Sequence, residues 1–167
     1  GINVTLTGTP TAAEVNAVAT RTTGTVTASI VSTQTMANLL AGLTETTGHA
    51  LTIALGDADV TASDLNTLST LTTGTIALDT AATDGVQSPG ISGSVTDLNT
   101  AFADNQITGL DASVVTVTGG ATVAEINALA DLTSGTVTAT VTDGDMATLA
   151  GITETGNALS ILSLIHI

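Results

Sequence analysis

The stretch Thr122–Val141, TVAEINALADLTSGTVTATV, decides the fold. Thr122 and Glu125 stand three apart as T-x-x-E. That is the spacing of a capping box, in which the hydroxyl accepts from the N3 amide and the carboxylate reaches back to the N-cap amide. Ile126, Leu129 and Leu132 then recur on one helical face. Ser134-Gly135 stops the helix. Thr136 to Val141 alternates strictly, placing Val137, Ala139 and Val141 on one side of a strand and threonines on the other. A helix this short does not hold in water by itself. Joined to a half-buried strand, it needs copies of itself to pack on.

Such copies are present. Val4–Ile30 aligns with Val115–Val141 without a gap. Thr35–Ile53, TMANLLAGLTETTGHALTI, matches Asp145–Ile161, DMATLAGITETGNALSI, with small length changes. The long period is therefore about 110 residues, with a shorter one in the twenties inside it. Capping pairs recur at Thr11/Glu14, Thr61/Asp64, Ser94/Asp97 and Thr122/Glu125. Each leads to an apolar residue and Asn, at Asn16, Asn66, Asn99 and Asn127. A second kind of unit carries Met36-Ala37 and Met146-Ala147, with Thr33 and Asp143 as its expected N-caps. The pattern predicts helices over 11–20, 34–42, 61–70, 94–103, 122–131 and 144–151. It predicts strands over 3–8, 24–31, 50–55, 74–79, 113–118, 135–142 and 157–163.

Strands joined through helices run parallel with right-handed crossovers. The expected fold class is therefore α/β. It is a solenoid of about six helix–strand units, with a parallel sheet on one side and short helices on the other. At about 4.8 Å between strands, the stack is roughly 30 Å long. An all-β solenoid is the alternative, and the capping boxes favour helices. Residues 1–161 form one repeat domain. The Gly- and Pro-bearing stretch 79–93 is read as an inserted loop, and 103–113 as a shorter irregular segment. Residues 162–167 are an atypical apolar tail. Its SLIHI looks similar to translated sequencing-adapter DNA, so the natural chain is expected to have been cut there. The start at Gly1, without Met and already in strand-like sequence, likewise suggests a piece of something longer.

Composition narrows the function. One basic residue, Arg21, stands against 15 acids, for a net charge of −14. Nucleic-acid binding needs a basic footprint and is disfavoured, as is an anionic membrane surface. No signal peptide and no membrane-spanning run is visible. There is one Phe and no Tyr, Trp or Cys, so the core must be aliphatic and thiolate sites are excluded. His49 and His166 lack a second ligand at metal spacing. No nucleophile–His–acid arrangement and no phosphate loop stands out, and no enzyme activity is expected.

Two sets of residues carry sharper readings. The outward T-x-T positions, Thr5, Thr7, Thr25, Thr27, Thr116, Thr118, Thr136, Thr138 and Thr140, could present a rank of hydroxyls to ice or another surface. Against this, Thr is a favoured residue on any exposed strand, and Ala54 and Ala77 interrupt the ranks. The acids Asp57, Asp59, Asp79, Asp84, Asp143 and Asp145 lie in Gly-containing loops and are weak calcium candidates. Calcium wants six to eight oxygens, and none of these spacings is that of an EF-hand. Solvated acids and helix-dipole partners are the plainer reading. The Asn column is read as a backbone-bonding ladder or a solvated helix face rather than a ligand set.

The pattern TxxE[VI]NALA…TSGTVTATVTD…MATLAGITETGNALSI resembles repeats of giant Thr-rich, Lys-poor secreted or cell-surface proteins (RTX-adhesin-like) of marine bacteria and cyanobacteria. The G-G-x-G-x-D nonapeptide of RTX repeats is itself absent. The resemblance implies an extracellular or cell-surface, adhesin-like spacer, often close to calcium-binding modules. Neighbouring repeats of the same chain would be its partners, with a surface, a glycan or ice as candidate targets. Calcium is the one cofactor it leaves open. Ice binding and calcium stiffening stand as alternatives to the spacer role.

Overall fold

The computed structural model describes residues 1–30, 34–44, 48–57, 59–78, 90–153 and 156–161. The capping pairs nucleate helices where expected. Thr11 and Thr122 form complete capping boxes with Glu14 and Glu125. Thr61 and Ser94 accept from the amides of Asp64 and Asp97. In chain order the elements are β1 (Val4–Thr5), α1 (Ala12–Ala19), β2 (Val26–Ile30), α2 (Met36–Gly42), β3 (Ala50–Leu55) and β4 (Asp59–Thr61). They continue with α3 (Ala62–Thr70), β5 (Ile76–Leu78), β6 (Gly90–Gly93), α4 (Val95–Ala103) and β7 (Ile107–Thr108). The last are β8 (Val114–Ala121), α5 (Val123–Ala130), β9 (Val137–Val141), α6 (Met146–Leu149) and β10 (Ala158–Ile161).

The fold is mixed α/β, and every strand pair recorded is parallel. A helix between successive strands of the same sheet carries the chain back to the starting edge, which is what parallel pairing requires. The expectation of one sheet is corrected. Among the described residues there are two five-stranded sheets, ordered β1-β2-β3-β5-β7 and β10-β9-β8-β6-β4. Midway, the chain visits a strand of the first sheet, a strand of the second and then a helix, three times over: β3-β4-α3, β5-β6-α4 and β7-β8-α5. The second sheet thus grows as the first ends.

The strands not anticipated are β4, β6 and β7, of two to four residues each. A segment that short shows no period-2 pattern to read. Strand β6, GISG, occupies the end of the stretch taken as loop 79–93; residues 79–89 lie outside the described set. Strand β7 falls in the segment read as irregular. The tail 162–167 also lies outside the described residues.

Strands present the alternation that the sequence shows: β2 runs buried–exposed–buried–exposed–buried from Val26 to Ile30. Among the described residues one apolar cluster takes Val26, Ile30, Leu51, Ile53, Ile76, Ile91, Val115 and Val137 from the strands. It takes Val15, Leu39, Leu65, Leu68, Leu98, Ile126 and Leu129 from the helices. Helices α1 to α5 each contact the next in order. Two large apolar residues of the last unit are open to solvent: Met146 is 79% exposed and Ile161 is 51% exposed. Leu132, read on the inward face of its helix, is also exposed, because α5 stops at Ala130. Helix α6 is four residues long, shorter than the 144–151 expected, and its N-cap is Asp145 rather than Asp143. The N-cap of α2 is Thr35, and Thr33 lies outside the described residues.

Candidate functional site

Among the described residues, several polar side chains bond from one unit to the next. A Thr-x-Gly turn follows α1, α3 and α5, and these turns clasp the backbone just before β1, on β3 and just before β8. The Thr22 hydroxyl donates to the Ile2 carbonyl at 2.6 Å and accepts from the Gly24 amide at 3.0 Å. Thr133 donates to Ser113 at 2.7 Å and accepts from Gly135 at 3.0 Å. The Thr72 hydroxyl lies 2.9 Å from the Leu51 carbonyl, and accepts from Gly74 at 2.9 Å. Thr72 and Thr133 are buried, so these bonds are shielded from competing water. The glycines are needed for closeness of approach. A Cβ on Gly24, Gly74 or Gly135 would run into the carbonyl oxygen of Ile2, Leu51 or Ser113. The repeated T-T-G and T-S-G were visible in the sequence. Their role was not, because a Thr-Gly pair also reads as an ordinary turn.

In the Asn column, Asn16, Asn66 and Asn127 form inter-unit bonds and Asn99 lies on an exposed helix face. Asn16 Nδ2 donates to the Thr44 hydroxyl at 3.1 Å, and its Oδ1 accepts from the Thr44 amide at 3.1 Å. Asn127 Nδ2 donates to the Gly151 carbonyl at 2.8 Å, and its Oδ1 accepts from the Thr153 amide at 3.4 Å. Asn66 Nδ2 donates to the Asp97 carbonyl at 3.0 Å, and Asn99 is exposed. His49 and Asn157, which occupy matching places, accept from the amides of Val26 and Val137 at 3.2 and 2.9 Å. His49 thus ties β2 to the residue just before β3.

The calcium candidates separate into different roles. Asp57 accepts from the Met36 amide at 2.6 Å, and Asp143 from the Val123 amide at 2.7 Å. Each carboxylate thus satisfies the first free N–H of a helix some twenty residues back, where the helix dipole also favours negative charge. Gln34 does the same, more weakly, for Ala12 at 3.4 Å. Asp145 caps its own helix through the Thr148 amide at 2.8 Å. Asp59 is exposed on β4, and Asp79 and Asp84 lie outside the described residues. Among the described residues, no three His, Cys, Asp or Glu side chains converge as a metal site would require.

The capping acids titrate abnormally for a local reason. The Thr122 amide, and then its hydroxyl, hold the Glu125 carboxyl below its usual range; Thr11 does the same to Glu14. The Thr148 hydroxyl and amide lower Asp145. A depressed folded-state pKa contributes stability above the unfolded value, about 4.3 for Glu. That contribution is lost as pH falls through the folded value. Glu125→Gln is therefore expected to be less stable than the parent at pH 7. The gap should close as denaturation is followed from pH 5 to pH 2.5. A gap independent of pH would show that the charge plays no part in the cap.

The threonine positions are placed on two sheets rather than one. Thr5, Thr7, Thr25 and Thr27 belong to the edge of the first sheet or its flanking turns; Thr116, Thr118, Thr138 and Thr140 belong to the second, and Thr136 immediately precedes β9. All are exposed except Thr140, which is half-buried. One row is in register across four strands, Thr61–Ser92–Thr116–Thr138, ending at Ala158. The next row does not form. Between Thr116 and Gly120, β8 advances four residues while β9 advances two, from Thr138 to Thr140. This bulge, with Gly119 at φ 88°, puts Gly120 rather than Thr118 beside Thr140.

Two surface grooves flank α1. One is lined by Leu6, Thr7, Thr9, Pro10, Glu14 and Val18. Its one carboxylate, Glu14, is occupied in capping. The other runs between α1 and α2 past Gln34 and Asn38. Among the described residues no helix is long and apolar enough to cross a membrane. No protein-family model, no curated protein and no solved structure matches the chain.

Proposed function

We propose that the chain is a non-catalytic structural segment, a solenoid of stacked repeats within a large extracellular or cell-surface bacterial protein. It acts as a spacer or display surface, adhesin-like in setting. The observation that carries the reading is the recurrence of one set of inter-unit bonds at matching positions. Asn16–Thr44 and Asn127–Thr153 correspond, as do His49–Val26 and Asn157–Val137. Where each unit is tied chiefly to its neighbours, length can be added without redesigning a core. The near absence of basic residues fits a segment that must stay soluble at high local density. Proteolytic shaving of intact cells that make the protein tests the location. Release of peptides from this chain is the expected result, and recovery only after lysis would refute it.

Ice or surface binding through the threonines is the second reading, favoured by the registered row Thr61–Ser92–Thr116–Thr138. The bulge weakens it by limiting the array on the second sheet to one row. Thermal hysteresis measured on folded protein at high concentration decides it; a freezing point equal to the melting point removes it. Calcium stiffening is the third. With Asp57 and Asp143 engaged at helix N-termini, the melting temperature is expected to stay within 1–2 °C, roughly, between chelator and millimolar calcium. A rise of many degrees would reinstate a calcium role.

A further inference from the structure

We propose that the face formed by α6 and β10 is a docking edge for a further strand–helix–strand unit of the kind made by residues 56–78. The proposal rests on the stacking part of the reading above and not on the surface location. Its basis is one apolar set that occurs twice, covered once and bare once. Met36 is 7% exposed and its counterpart Met146 is 79% exposed. Ile53 is 0% exposed and Ile161 is 51% exposed. The intervening pairs follow: Leu39 and Leu51 are buried, while Leu149 and Leu159 are partly open.

What covers the first set is known, so the chemistry of the proposed occupant can be stated. Helix α3 packs on α2, and β5 pairs with β3 in the register Ile53↔Ile76. Asp57 satisfies the Met36 amide. The Thr72 hydroxyl accepts from the Leu51 amide at 2.9 Å, and Gly74 sits against the Leu51 carbonyl. The occupant of the α6–β10 face is therefore a unit with three features. It carries an acid that reaches the Met146 amide. It has a Thr-x-Gly turn over Leu159. Its strand pairs parallel to β10, with an apolar helix face above Met146 and Leu149.

The test joins a copy of residues 56–78 directly after Ile161, in place of residues 162–167, and follows amide hydrogen exchange. The expected result is that amides of Leu159 and Ile161 slow by at least tenfold, toward the rates of Leu51 and Ile53. A control extension, with Asp at the places of Leu65 and Leu68, should leave them fast. Exchange at Val137–Val141 reports in every sample that the parent fold is intact. No slowing with the native extension, or equal slowing with both, overturns the proposal. Concentration-dependent slowing in the unextended chain also overturns it, by showing that a second copy is the occupant. None of these results depends on where the protein resides in the cell.

Discussion

Gly135→Ala is expected to destabilise the chain by about 1–3 kcal/mol, the usual cost of forcing a methyl into a filled site. The new Cβ would meet the Ser113 carbonyl and the Val114 amide, which are backbone atoms that cannot swing aside. Relief requires β9 to move away from β8. That motion stretches the buried bond from the Thr133 hydroxyl to Ser113, and the Val115–Val137 pairing beyond it. Reduced backbone freedom of the unfolded chain offsets only about 0.4–1 kcal/mol of this. Gly144→Ala is the control, because a Cβ there meets nothing within 4 Å. Its expected effect is neutral to slightly stabilising, by up to about 1 kcal/mol. Urea denaturation of the two variants checks both; equal midpoints would mean that the Thr-x-Gly approach is not structurally demanding.

Leu65→Ala is expected to cost about 2–5 kcal/mol, the range for a large-to-small change in a closed core. Leu65 is 0% exposed on α3, a helix flanked by both α2 and α4, so no solvent-facing collapse can fill the space. Leu149→Ala, on α6 at a partly open site, removes the same atoms and should cost roughly 1 kcal/mol, since less area leaves water there on folding. The contrast measures how much of each unit's stability its neighbours supply. Similar losses at the two sites would contradict stacking as the source of that stability.

Much of this architecture was legible because local signals repeat. T-x-x-E at Thr11 and Thr122 located two helix starts to the residue, and the alternation from Thr136 to Val141 located β9. Division into two sheets was not legible. It rests on β4, β6 and β7, and a strand such as Ile107–Thr108 is held by pairing with β5, not by its own pattern. The bulge in β8 was equally hidden, although Gly119-Gly120 marks it in hindsight. The Asn column was read as a ladder or a solvated helix face, and Asn16 and Asn127 take the first role while Asn99 takes the second. The acids of Asp57 and Asp143 were placed in loops correctly, but their caps are on helices some twenty residues away, a pairing that only the fold creates. The outward threonines were identified individually. Whether they align depends on register, which a two-residue bulge resets.

The central claim is that each unit is held chiefly by the units on either side of it. Residue-resolved native hydrogen exchange on Gly135→Ala tests this most directly. Damage at the β8–β9 contact should then stay largely local. Amides of β8, β9 and β10 are expected to lose protection, while those of Val26–Ile30 and Leu51–Leu55 keep theirs. An equal loss of protection from Val26 to Ile161 would contradict the claim and describe instead one indivisible core.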